Sequence, residues 1–220
     1  MKGEVAAAMA NAAPDMNALV SASRSWVRRS LTQPAPAAWT LAALGGCLAE
    51  LSGAGPAPAL TLAFGLVREA QQRGEPVAWI SRTESTFFPP DAAAGGIDLA
   101  ALPVILLDDA RCRLRAADRL ARSGAFGLLV VDLGDRLDLP LAVQTRLAEQ
   151  ALAHGTLVLC LTEKTERQPS LGSLVAVRGQ ARCIRYGPDR FACRVHALKD
   201  KRRGPGWIDQ EWCRGPDGVR

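Results

Sequence analysis

The chain has little of what metal chemistry needs. Its 220 residues include two histidines, His154 and His196, and six cysteines with no Cys-x-x-Cys pair among them. Zinc centres draw on closely spaced Cys and His ligands, so no zinc site is expected. Also missing is any apolar run of the roughly 18–20 residues that a membrane-spanning helix needs. The alanine-rich start, Ala6 to Ala13, is broken by Asn11 and followed by Pro14, and lacks the hydrophobic centre of a signal peptide. Cys47, Cys160 and Cys183 sit in apolar, strand-like runs and read as reduced, buried thiols. The expected compartment is the cytoplasm. What is present is ordinary globular material, 48% hydrophobic and 22% charged with a net charge of +5, and enough length for a substantial core.

A further absence is local. An apolar segment over 47–51 leads into a glycine- and proline-rich stretch and then into a helical pattern over 59–73, the strand–loop–helix context of a phosphate-binding loop. Such a loop ends in Gly-Lys-Ser/Thr, the lysine reaching the outer phosphates and the hydroxyl holding magnesium. Pro58 and Ala59 stand in that region instead. Pro56 and Pro58 remove two backbone N–H donors from a loop that would work by donating them.

Helical and strand patterns alternate along the rest of the chain. Asp15 caps an expected helix over 16–31, with Met16, Leu19, Val20, Val27 and Leu31 on one stripe and Arg24 and Arg28 on another. Residues 33–38, with two prolines, read as a linker. Strands are expected at 76–81, 103–107, 127–132 and 156–161. A helix capped by Asp109 runs to Ser123 and stops at Gly124, and another runs from Pro140 to His154 and stops at Gly155. Residues 83–96 read as a loop. This alternation implies an α/β fold with a mostly parallel sheet covered by helices on both faces. The last third changes character: 174–177, 181–186 and 191–197 read as antiparallel strands around a turn at 187–189. The expected organisation is an N-terminal helix and linker over 1–38, a core over 39–203, and a flexible Gly/Pro-rich tail over 204–220 that orders only on a partner.

Ala121-Arg122-Ser123-Gly124-Ala125 followed by Leu128-Leu129-Val130-Val131-Asp132 resembles the second conserved block of the RecA recombinase core. Gly46 to Leu51, then Leu60-Thr61-Leu62 and Arg73-Gly74-Glu75-Pro76, resembles the first block. Gly96 to Leu99 and Val195 to Lys201 fit later stretches in the same order. The resemblance covers roughly residues 40–205. Size, the altered loop and the ending Arg202-Arg203-Gly204-Pro205-Gly206-Trp207 are most similar to the ImuA group, RecA-like accessory proteins of error-prone DNA synthesis in the bacterial damage response.

The resemblance implies a RecA-like core without catalysis and without a cofactor. Asp132 falls at the Walker B position, and Glu84, or Thr83 in the ungapped alignment, at that of the water-activating glutamate. Read from the residues, Asp132 is a strand-end acid capping a turn with Gly134, and Thr61 is helix N-terminal packing. The implied strand-binding loops are 133–139 and 163–173, and neither carries an aromatic for base stacking. Weak, non-specific DNA contact is assigned to Lys199, Lys201, Arg202 and Arg203, with Arg190 and Arg194 nearby. Partner contact is assigned to Trp26, Arg24, Arg28, Phe87 and Phe88. The implied partners are the RecA recombinase, a catalytically inactive Y-family polymerase relative and the error-prone polymerase of the same cassette. Two other readings stand beside this one: an SOS inhibitor of cell division, also RecA-like without a phosphate loop, and a DNA-binding module.

Overall fold

The computed structural model describes residues 39–53, 57–85, 87–135, 138–187 and 190–214, and the structural statements that follow concern these. The expected helix over 16–31, with Trp26, Arg24 and Arg28, lies outside them.

Short apolar runs punctuated by glycine and proline form the first five strands of one eight-stranded sheet: β1 (Leu48–Gly53), β2 (Val77–Ser81), β3 (Val104–Leu106), β4 (Leu128–Gly134) and β5 (Leu157–Thr162). Three strands follow, β6 (Val177–Arg185), β7 (Arg190–Asp200) and β8 (Ile208–Arg214), and the order across the sheet is β3-β2-β4-β5-β1-β6-β7-β8. Pairing is parallel from β3 to β6 and antiparallel at β6–β7 and β7–β8. Strands buried on both faces read as continuous apolar runs, and β1, β2 and β5 are buried at every position.

Helices close both faces of the parallel part. α1 (Leu41–Leu44) and α2 (Ala57–Gln72) cover one, where Leu44, Leu62 and Leu66 meet Leu51, Trp79, Leu159 and Val195. α4 (Ala110–Ser123) and α5 (Leu141–His154) cover the other, where Leu114 and Leu147 meet Leu48, Ile80, Val131 and Val158. The expected punctuation is present. The Asp109 carboxylate accepts the Arg111 N–H, and Gly124 and Gly155 end their helices at φ 66° and 70°, a conformation that favours glycine.

Several expectations need correction. The 83–96 segment contains a helix, α3 (Pro89–Ala94), because Pro89 and Pro90 sit in its first turn, where a missing N–H costs nothing. In place of the expected strands at 174–177 and 181–186 there is one strand, β6, which begins only at Val177, runs through to Arg185 and is parallel to β1 instead of part of a purely antiparallel group. It runs through Gly179 because that position lies against Val195, Trp39 and Leu51 with no room for a side chain. Cys183 is exposed near the end of β6, whereas Cys193 is buried. Within the expected tail, residues 208–214 form a strand. β8 pairs with β7, its Asp209 accepts the Trp39 N–H at 2.8 Å, and Glu211 meets Arg68 at 3.4 Å. Backbone pairing and these polar links hold a strand too poor in apolar residues to make a core alone.

Candidate functional site

The junction between β1 and α2 is the strand–loop–helix position of the glycine- and proline-rich stretch. β1 ends at Gly53 and α2 starts at Ala57, two residues earlier than its pattern suggests, which puts Pro58 in the helix's first turn. Residues 54–56 lie outside the described residues. Ala59 is buried in the core. Thr61, one turn into the helix, is hydrogen-bonded to the Cys193 thiol on β7, so its hydroxyl is turned toward the sheet. Burial pushes the Cys193 thiol up to about 12, which suits packing and not nucleophilic chemistry.

Asp132 near the end of β4 behaves as a strand-end cap. Its carboxylate accepts the Ser81 hydroxyl at 2.8 Å and the Gly134 N–H at 3.0 Å. Gly134 has φ 60°, as the turn demands. Glu84 lies in an exposed turn after β2, and the neighbouring Thr83 N–H is taken by Asp108.

A polar cluster missed at the level of sequence sits on the α5 side of β1. Neighbouring strands align Cys160, Glu50 and Arg178 in one row and Thr162, Ser52 and Gln180 in the next. Glu50 and Lys164 are fully buried and meet at 2.6 Å, and Arg178 lies 3.8 Å from the same carboxylate oxygen. That oxygen also accepts the Thr162 hydroxyl at 3.2 Å, while the other accepts the Ser170 hydroxyl at 2.9 Å and the Leu171 N–H at 2.8 Å. A buried charge is tolerated only when paired and hydrogen-bonded, and this carboxylate meets both conditions.

The cations of this cluster reach onward to the 163–173 segment. Lys164 donates to the Pro169 carbonyl at 2.7 Å, and Arg178 donates to the carbonyls of Thr165, at 2.9 Å, and Gln168. The Leu139 N–H donates to the Leu171 carbonyl at 2.8 Å, which ties the 133–139 segment to the same loop. Both loops that the resemblance assigns to strand binding are therefore linked to each other, and one is anchored in the core. Glu50 lies within the Gly46–Leu51 stretch. An acid alone amid an apolar strand was the signal that could have found it.

The four expected DNA-contact residues come together at the end of β7 and the turn after it, and three are engaged. Lys199 donates to the carbonyls of Gly172 and Ser173 at 3.1 and 3.2 Å. Burial and the nearby Lys201 charge hold its ammonium below the usual lysine value. Arg202 donates to the carbonyls of Gly45 and Gly46. Arg203 pairs with Asp200 at 2.9 Å and stacks over Trp207, whose indole N–H also reaches Asp200. Lys201 is exposed. This turn is built around Asp200, a buried carboxylate whose two oxygens accept four hydrogen bonds: one from the Arg202 N–H, two from Arg203 and one from the Trp207 indole. Phe87 and Phe88 divide: Phe87 packs on Trp79 and Phe64 at 5.2 and 5.8 Å between ring centres, and Phe88 is exposed. Among the described residues, no group of three His, Cys, Asp or Glu side chains is placed to hold a metal, and no helix is long and apolar enough to cross a membrane.

No family model matches the chain. Curated relatives do. RecA of Fusobacterium nucleatum subsp. nucleatum is 33% identical over 122 residues, 50% of this chain and 32% of that protein. RecA of Rhodospirillum rubrum is 35% identical over 122 residues, 50% of this chain and 33% of that protein. RecA of Corynebacterium jeikeium is 34% identical over 131 residues, 54% of this chain and 35% of that protein. The chain is similar to RecA. It spans about a third of the length of the curated relatives it matches. The mixed sheet, parallel at its centre and antiparallel at its C-terminal end, is consistent with an α/β RecA-like core.

Proposed function

We propose that this RecA-like chain is a non-enzymatic accessory protein of DNA-damage tolerance, of the ImuA kind, acting in the cytoplasm. It binds the RecA recombinase, the polymerase components of translesion synthesis, or both, and shifts repair from recombination toward error-prone synthesis. The observation that carries this reading is the start of α2. Its first residues are Ala57, Pro58, Ala59 and Leu60, with no lysine to meet a phosphate, and the Thr61 hydroxyl is taken by Cys193. The phosphate loop is read as degenerate, with no nucleotide cofactor, and Asp132 as a structural cap. The anchoring of 163–173 by Glu50, Lys164 and Arg178 adds support, since a fixed loop suits a protein that presents a surface more than one that cycles with a nucleotide.

The test is calorimetric titration with magnesium-ATP together with co-purification from DNA-damaged cells. No heat of binding is expected up to about millimolar ATP, the upper end of ordinary enzyme KM values. RecA or a translesion polymerase component is expected in the co-purified fraction. Micromolar affinity, or magnesium-dependent hydrolysis abolished by Asp132→Ala, overturns the reading.

A further inference from the structure

Three strands, β6, β7 and β8, are covered on one side by the α2 core, where Ala181, Cys193 and Val195 are buried. On the opposite side the same strands carry Arg182 and Ile184, then Arg190, Ala192 and Arg194, then Ile208, Gln210 and Trp212. Among the described residues this side carries large exposed groups around a buried Ala192: Ile208 is 63% exposed, Trp212 62% and Tyr186, just past β6, 53%. Large exposed apolar groups gathered on one sheet face mark a binding surface, and Trp, Tyr and Arg are the residues that most often anchor one.

The register gives this face a pattern. Arg194 stands opposite Gln210, midway between Ile208 and Trp212, which lie four strand residues or about 13 Å apart. Its guanidinium donates to the Gln210 side-chain carbonyl at 2.5 Å and to the Tyr186 hydroxyl at 3.1 Å. It is thereby held at the centre of the patch by two neutral partners, which leave its positive charge uncompensated by them. Arg182 and Arg190 are exposed on the same side, and Glu166, paired with Arg182 at 2.5 Å, is the acid that meets it. Asp209 and Glu211 belong to the other side, where they hold Trp39 and Arg68. A positive centre flanked by two apolar anchors is complementary to a negative centre flanked by two apolar side chains.

We propose that the open face of β6–β7–β8 docks an extended acidic protein segment, with one carboxylate over Arg194 and an apolar side chain two residues to each side, against Ile208 and against Trp212 with Tyr186. The inference rests on the reading of a partner-binding protein and names the surface and the chemistry of the segment it takes. A nucleic-acid strand fits less well. The Tyr186 and Trp212 rings pack on each other, 4.9 Å apart and tilted by 51°, and Ile208 has no use for a base or a phosphate.

The experiment is fluorescence anisotropy with the full chain and labelled nine-residue peptides that place Asp midway between Leu and Phe, in both chain directions, in a serine and glycine background. A labelled fifteen-residue oligothymidylate is run in parallel. One peptide direction is expected to bind, to weaken at least tenfold on Trp212→Ala and on Arg194→Gln, and to weaken as much when its Asp is replaced by Asn. Arg119→Ala, an equal change in charge on α4, should leave it unchanged. Circular dichroism and melting of each variant confirm that the fold persists. Three results overturn the proposal: no peptide binding, peptide binding indifferent to Trp212 and Arg194, or oligothymidylate bound through these residues in place of the peptide. Each leaves the broader reading standing if RecA still co-purifies, whereas loss of that co-purification with peptide binding intact fails the broader reading alone.

Discussion

The parallel and antiparallel halves of the sheet put the same residue types to opposite uses. Around β1, β5 and the start of β6, charge is inside: Glu50, Lys164 and Arg178 are buried together and fasten the 163–173 segment to the core. Beyond the middle of β6, charge is outside: Arg182 and Arg190 are exposed, beside Tyr186, Ile208 and Trp212. The difference follows from coverage. Helices on both faces make a buried charge in the parallel half costly unless it is paired and hydrogen-bonded, as Glu50 is. In the antiparallel half one face meets α2 and the other meets water, so alternate residues are free to serve a partner.

Substitutions can break or sharpen this contrast. The largest expected effect is at Glu50. Glu50→Ala leaves Lys164 and Arg178 buried without their carboxylate and should cost about 3–5 kcal/mol of stability, read from the urea midpoint. Arg182→Ala breaks an ion pair that is exposed on both sides and should cost less than about 1 kcal/mol. Equal losses would remove the distinction between the halves. Gly179→Ala comes next. A Cβ there would meet the Val195 side chain at 2.4 Å and Trp39 at 3.1 Å, so crowding of about 1–3 kcal/mol is expected. A neutral result would mean that β6 yields more easily than its neighbours.

Asp200→Asn should cost about 1–2 kcal/mol through weakened bonds to Arg202, Arg203 and Trp207. Its pH signature is more telling. Burial works to raise this carboxyl, yet the backbone N–H of Arg203, the Trp207 indole and Arg202 hold it below the usual aspartate value. A carboxyl depressed in the folded state stabilises the fold above the unfolded value of about 3.9, and that contribution fades as pH falls through the folded value. Stability of the native chain should therefore fall more steeply below about pH 4 than that of Asp200→Asn. Parallel curves would contradict the assignment. Smallest of all, Trp212→Ala should change stability by no more than about 0.5 kcal/mol, since its ring serves a surface; a large loss would make it a structural residue.

How much of this was legible in the sequence depended on whether the signal was local. Gly124 and Gly155, Asp109, and the apolar runs of β2, β4 and β5 announce elements within a few residues, and they lie where expected. The Asp132 cap was likewise readable from Gly134 nearby. Glu50 was not, because its partners Lys164, Ser170 and Arg178 are more than a hundred residues away and only the β5–β1–β6 register joins them. β8 was hidden by a Gly- and Pro-rich approach, although Ile208, Gln210 and Trp212 alternate with Asp209, Glu211 and Cys213. Its partner strand, not its own composition, decides its state. The basic cluster was visible as a run, but the carbonyls that occupy Lys199 and Arg202 come from Gly172, Ser173, Gly45 and Gly46.

The central claim, a RecA-like protein that acts by binding and not by turnover, is tested most directly by strand exchange with purified RecA recombinase and added full-length protein. The account predicts suppression that rises with the amount added, accompanied by binding to RecA and no ATP hydrolysis by the added chain itself. Exchange unaffected across the titration, with no detectable association, would contradict it.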